Sequence, residues 1–184
     1  AVSTNGIGVS FLTAQSFKLN ALAGPVMTGP IGTIAASAGY DQPTFTWNAS
    51  TGAKDYWLYV VNTTTGQVVI NQRNIVGTSY AASPAQALTP GHSYAWNAIA
   101  VSTNGIGVSF LTAQSFKLAA MPAPVLSAPV GHITQITPTF NWSSVPAATS
   151  YALYLYDLTT SRMPISVVSV VDASLNNNVT LTVG

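Results

Sequence analysis

Few side chains in this sequence could do chemistry. The histidines are His92 and His132, and the acids are Asp41, Asp55, Asp157 and Asp172; there is neither cysteine nor glutamate. A Ser–His–Asp relay needs three such groups to converge. His92 falls in the run Leu88-Thr-Pro-Gly-His92, where it reads as a turn residue rather than a general base. Asp41 and Asp55 flank the segment that ends in Trp47 and read as turn or capping residues. As a calcium site they would be short of oxygen ligands. No zinc spacing and no phosphate-cradling glycine loop occur, and a chain without cysteine has no disulfide and no thiolate metal site. The expectation is a protein that is not an enzyme, with no catalytic residue, no metal and no cofactor.

Aromatic contact chemistry remains. From Asp55 to Val61 the chain alternates, with Tyr56, Leu58 and Val60 on one face and Trp57, Tyr59 and Val61 on the other, the period of a strand. If the first set points inward, Trp57 and Tyr59 point outward. A later stretch carries Ala152, Tyr154 and Tyr156 in the same phase. An outward aromatic pair with few charges nearby is the kind of patch that marks a contact. Three readings stand: a neighbouring loop or strand covers it, another protein surface packs on it, or a sugar stacks on the rings. Trp57, Tyr59, Tyr154 and Tyr156 are the candidate interaction surface.

The elements that would position these groups follow from composition and repetition. Hydrophobic residues make up 48% of the 184 and charged residues only 5%, with a net charge of +1. That is ample for a core and unlike a disordered chain. It creates no field for nucleic acid or an anionic membrane, and near-neutral surfaces repel one another weakly, which favours self-association. No apolar run reaches the ~18 residues of a membrane-spanning helix, and the start lacks the basic-then-apolar pattern of a secretion signal.

The nineteen residues Ala1–Leu19 recur without a mismatch as Ala100–Leu118, an offset of 99. A period of that size means an array of domain-sized units. Gly24-Pro25 and Gly29-Pro30 punctuate the stretch after the first copy, and Pro124 and Pro129 stand 99 positions further on, marking joints. Residues 1–19 then read as the last strand of a preceding repeat, 20–118 as one complete repeat, and 119–184 as a second repeat lacking its last two strands. Val9, Phe11, Leu12, Phe17 and Leu19 form a candidate strand-pairing segment, either unpaired or donated to another edge.

Within 20–118 the strands can be counted. An edge-like strand follows the prolines. Alternating or β-rich stretches come next at Pro43–Trp47, Asp55–Val61, Gln67–Asn71, Thr78–Ala82, His92–Val101 and Val108–Leu118. Seven short strands in about 100 residues, separated by Gly, Pro and Asn turns, point to a β-sandwich, and no stretch has a convincing helical period. Pro138-Thr-Phe-Asn-Trp142 restates Pro43-Thr-Phe-Thr-Trp47 at an offset of 95, and Tyr151, Leu153 and Leu155 restate Tyr56, Leu58 and Val60.

The unit resembles a fibronectin type III domain of the kind strung along bacterial surface and secreted proteins. The residues that carry the resemblance are Trp47, Tyr56-Trp-Leu58, and Leu88-Thr-Pro-Gly-His-Ser-Tyr94 with Ala98 and Ala100 after it. Trp96 departs from it, standing where the family usually has an aliphatic residue. The resemblance implies tandem seven-stranded immunoglobulin-like sandwiches with Trp47, Tyr56, Leu88, Tyr94 and Trp96 in the first core and Trp142 and Tyr151 in the second. It also implies Tyr94 as a corner tyrosine, and a spacer or binding role rather than catalysis.

The functional expectation is a structural repeat of an extracellular or cell-surface fibre, stalk or adhesin. It would associate with copies of itself or with adjacent repeats, without nucleic acid and without membrane insertion. The alternatives are a glycan- or protein-binding module using the outward aromatics, or a spacer in a secreted hydrolase. Four Asn-x-Ser/Thr sequons, at Asn48, Asn62, Asn141 and Asn178, are sites for glycosylation only on a route that glycosylates.

Overall fold

The structure, a computed structural model, describes residues 15–17, 22–105, 112–172 and 174–176. They are all-β apart from one 3-10 turn at Pro84–Gln86. In chain order the strands are β1 (Met27–Gly29), β2 (Gly32–Ile34), β3 (Thr44–Trp47), β4 (Asp55–Asn62), β5 (Gln67–Ile75), β6 (Ser79–Ala81), β7 (Ser93–Val101) and β8 (Gln114–Leu118). They continue as β9 (Leu126–Ala128), β10 (Thr139–Trp142), β11 (Tyr151–Asp157), β12 (Arg162–Val170) and β13 (Ser174–Asn176).

The first eight strands form two sheets, β1-β3-β6 and β2-β8-β7-β4-β5. Every pairing is antiparallel except β2 with β8, which is parallel. The last five repeat part of that plan, as β13-β10-β9 and β11-β12. β10 therefore stands between β9 and β13 as β3 stands between β1 and β6.

The single edge strand expected after the prolines is two strands, which makes eight in the first group rather than seven. The chain leaves β1 at Pro30, which has no N–H to continue a ladder, and turns through Gly32 at φ 72°. β2 then joins the other sheet beside β8. β5 also runs further than Asn71, to Ile75. Gln72, Arg73 and Asn74 are weak strand formers, but β4 pairs along the same length, through Leu58 with Gln72 and Tyr56 with Ile75. Pairing overrides propensity there. The 3-10 turn, too short to show a period, is held by Gln86, whose Oε1 accepts from Tyr80 Oη at 2.9 Å and from the Ser83 amide at 3.2 Å.

The first core fills the space between its two sheets. Phe45, Trp47, Tyr56, Leu58, Val60, Ile70, Leu88, Tyr94, Trp96, Phe116 and Leu118 are buried together. Phe45 meets Trp96 edge-on at 5.1 Å and Phe116 edge-on at 5.9 Å, and Tyr94 stacks on Phe116 at 5.2 Å. Trp96, 1% exposed, is accommodated by that ring cluster and by Pro30, whose carbonyl accepts from its indole Nε1–H at 3.0 Å. The departure from the family pattern thus ties β7 to the crossing between β1 and β2.

A second, smaller cluster contains Phe140, Trp142, Leu153, Ile165 and Val170, with Tyr151 and Leu155 against it. Two devices are common to both. Trp47 packs on Tyr56 at 5.4 Å and Trp142 on Tyr151 at 5.6 Å. The Tyr56 hydroxyl accepts from the Ser50 amide at 2.9 Å, and the Tyr151 hydroxyl from the Val145 amide at 2.8 Å. Both pairs keep the 95-residue offset.

Candidate functional site

The groups with acid–base chemistry are dispersed into structural tasks. His92 Nδ1 lies 2.8 Å from Asn62 Nδ2, and Asn62 Oδ1 accepts from the amides of Thr64 and Thr65 to close the β4–β5 turn. Asp157 does the same for Thr159 and Thr160 between β11 and β12. The Thr160 hydroxyl also donates to it, and these donors hold its carboxyl below the ordinary carboxylate range. Asp55 is buried with Lys54 Nζ at 3.7 Å, and His132 is exposed. Among the described residues no three His, Cys, Asp or Glu side chains gather as a metal site would require.

Tyr94 forms the corner. Its hydroxyl donates to the Thr89 carbonyl at 3.1 Å and accepts from the Thr89 amide at 2.8 Å, locking the Leu88–Gly91 turn onto β7. Burial raises its pKa, and the bonds to Thr89 offset part of that rise. Of the sequon asparagines, Asn48 is exposed, Asn62 is buried in its turn, Asn141 is half-buried, and Asn178 lies outside the described residues.

The outer face of the large sheet carries the aromatic patch. Three cross-strand rows of β4 and β7 lie there: Trp57 with Ile99, Tyr59 with Asn97, and Val61 with Ala95. Trp57 and Tyr59 meet edge-on at 5.9 Å. β5 fixes the indole, because Nε1–H donates to Asn71 Oδ1 at 2.7 Å and the Arg73 guanidinium sits 3.8 Å from the ring centroid. Both rings are half-buried. They wall a groove of about 460 Å³ that also runs past Val61, Ala95, Asn97 and Ala113. Asn97 is 9% exposed, and its Oδ1 meets no donor among the described residues.

Asn71, Arg73 and Asn97 were not among the expected residues. A visible signal existed for Asn97, a single amide in the otherwise apolar run Tyr94–Val101. Arg73 and Asn71 reach Trp57 only through strand register, which no local pattern shows. In the second group Tyr154 and Tyr156 are 57% and 53% exposed, on a strand that pairs with β12 alone among the described residues. Of the strand-pairing candidates, Phe17 lies outside any strand and is 87% exposed. Val9, Phe11, Leu12 and Leu19 lie outside the described residues.

Sheets ordered β1-β3-β6 and β2-β8-β7-β4-β5, with a corner tyrosine on β7 and a core tryptophan on β3, define a fibronectin type III-like β-sandwich. Solved structures similar to the chain include a Fn3-like protein from Clostridium thermocellum, at 21% identity and a TM-score of 0.41, covering 56% of this chain and 100% of that one. Another is the FN1–FN3 region of chicken CNTN1, at 16% identity and 0.41, covering 97% and 63%. A third is CopC from Methylosinus trichosporium OB3b, at 16% and 0.35, covering 52% and 94%. No protein-family model matches the chain, and no curated protein matches it. The fold assignment rests on the strand order itself.

Proposed function

We propose that this chain is a non-catalytic structural repeat of an extracellular or cell-surface array, whose units stack end to end and associate with further copies. The observation that carries this reading is the joint at residues 118–147. The Tyr40 hydroxyl, buried beneath the first core, donates to the Ala119 carbonyl at 3.0 Å. The Ala119 amide donates to Ile34 at 2.9 Å, and the Gly91 amide to Leu118 at 3.0 Å. Ala147, from the loop before β11, packs against the first core. The main-chain bonds pin the end of β8 within the first group, and the Ala147 contact packs the second group against it.

Repetition supports the same reading. The Asn48 amide bonds Val26, and the Ser143 amide bonds Val125, both at 2.8 Å, so the entry to each group is built alike. Self-association is supported by the low charge and by β11, which pairs with β12 alone among the described residues while its counterpart β4 is paired on both sides. Such an edge is a template for another strand. Light scattering on the full chain tests this. The expected result is concentration-dependent assembly, and a monodisperse monomer at all concentrations contradicts it.

A further inference from the structure

We propose that β11 takes, on its side away from β12, the segment around Phe17 of a second copy of this chain as an added strand. This deepens the self-association reading above and rests on it. Three observations select that occupant.

First, the same segment is already a strand elsewhere in the chain. Residues 15–19 are identical to Gln114–Leu118, which form β8. There Phe116 is 3% exposed and meets Phe45 edge-on, and Leu118 is buried beside it. Phe17 is the same residue in the same sequence and is 87% exposed. Phe17 and Leu19 alternate with Ser16 and Lys18, the pattern of a strand with one buried face. β8 is paired along both its edges, so this sequence accepts a neighbour on either side.

Second, the second group is open where such a strand adds apolar cover. Met27 and Leu126 hold the same place, opposite Trp47 and Trp142, yet Met27 is 8% exposed and Leu126 69%. Tyr56 and Val60 of β4 are buried, whereas their counterparts Tyr151 and Leu155 of β11 are half-buried. Among the described residues no counterpart of β7 or β8 lies beside β11. Proline and basic side chains blunt an edge. β12 has Pro164 and β5 has Arg73, while Tyr151–Asp157 has neither kind.

Third, reach assigns the segment to another copy. Leu22 packs on the first core beside Gly52, at the end of the large sheet where Asp55 pairs with Val101. The chain passes to the second group at the other end, where Asn62 pairs with Tyr94 and the Gly91 amide bonds Leu118. The eight residues of β4 separate the two ends by about 23 Å. The five residues from Phe17 to Leu22 span about 18 Å at most, so the β11 of the same copy lies out of range.

The test uses the full chain and a synthetic peptide of residues 1–19. Light scattering reads assembly, and hydrogen exchange reads the strands. Phe17→Asp alters an exposed side chain outside any strand, and circular dichroism verifies that the variant is folded. The expected result is that the unsubstituted chain assembles and that Phe17→Asp needs at least tenfold higher concentration to do so. Excess peptide should block assembly and slow exchange over Tyr151–Asp157, and a peptide with the same substitution should do neither. Equal assembly of the two chains overturns the proposal and leaves self-association to another surface. Peptide protection that falls on β7 and β2 instead of β11 also overturns it, by assigning the segment to the place of β8. A chain that stays monomeric contradicts the self-association reading. Slowed exchange at β11 with excess peptide then still supports the docking site, and unchanged exchange overturns it.

Discussion

Single side chains close the turns of this fold, and the tyrosines show what that is worth. Tyr94 satisfies both main-chain groups of Thr89 from one hydroxyl. Tyr94→Phe keeps the ring and its stack on Phe116 but strands those two groups, a loss of about 1–3 kcal/mol to be read by urea unfolding. Tyr94 and Tyr40 also have raised pKa values, both mainly through burial, with the Asp41 charge adding to the effect at Tyr40. In each the folded state holds the phenolic proton more tightly than the unfolded chain does. Their contribution is therefore complete below the unfolded value of about 10 and is lost as pH rises through and beyond it. Melting temperature should fall above about pH 10, and the fall should flatten when both residues are Phe. An equally steep fall in the double variant would place the alkaline sensitivity elsewhere. The corner was legible in the sequence because its turn, Leu88-Thr-Pro-Gly91, and its tyrosine are local. The Tyr40 bond to Ala119 was not, since 79 residues separate the partners.

At the level of elements, the loops between strands set how each group meets what precedes it. The loop before β4 turns through Gly52 at φ 85°, and the equivalent loop before β11 through Ala147 at φ 69°. Both are left-handed, a region that costs residues with a Cβ about 1–2 kcal/mol. At Gly52 an added methyl would lie 3.1 Å from Leu22 Cδ2, the end of a side chain that can swing aside. Gly52→Ala should therefore cost about 1–2 kcal/mol, nearly all of it backbone strain. Leu22→Ala in the same background should restore little. Full restoration by Leu22→Ala in urea unfolding would assign the cost to the clash instead.

Strands whose alternation was strong, such as Asp55–Val61 and the Tyr94–Ala100 run, were legible with their inward faces, because a period of two survives any tertiary setting. The change of sheet at Pro30 was not legible, because a proline says only that a ladder ends. Nor was the reach of β5 to Ile75, since pairing with β4 decides it. The groove was half legible. The outward phase of Trp57 and Tyr59 follows from alternation, while Asn97 beside Tyr59 follows only from the register of β4 on β7.

Across the whole molecule, the two groups differ in what holds them. The first has a continuous aromatic core and a central pair, β4 and β7, in register from Asp55–Val101 to Asn62–Tyr94. Among the described residues the second has a cluster of five buried residues, and β11 has β12 as its one strand neighbour. Local stability follows buried contact and paired backbone, so hydrogen exchange should be graded across the chain. Amides of β4 and β7 should be the slowest, and those of β11 faster by orders of magnitude in dilute solution. Association through strand edges adds a second dependence. If copies pair on the side of β11 away from β12, protection over Tyr151–Asp157 should rise with protein concentration while that of β4 stays constant, because both its sides are already occupied. Protection that rises instead at Trp57 and Tyr59 would locate the contact on the aromatic face and leave the β11 edge without a role in assembly. Protection that is independent of concentration everywhere would count against assembly by either route.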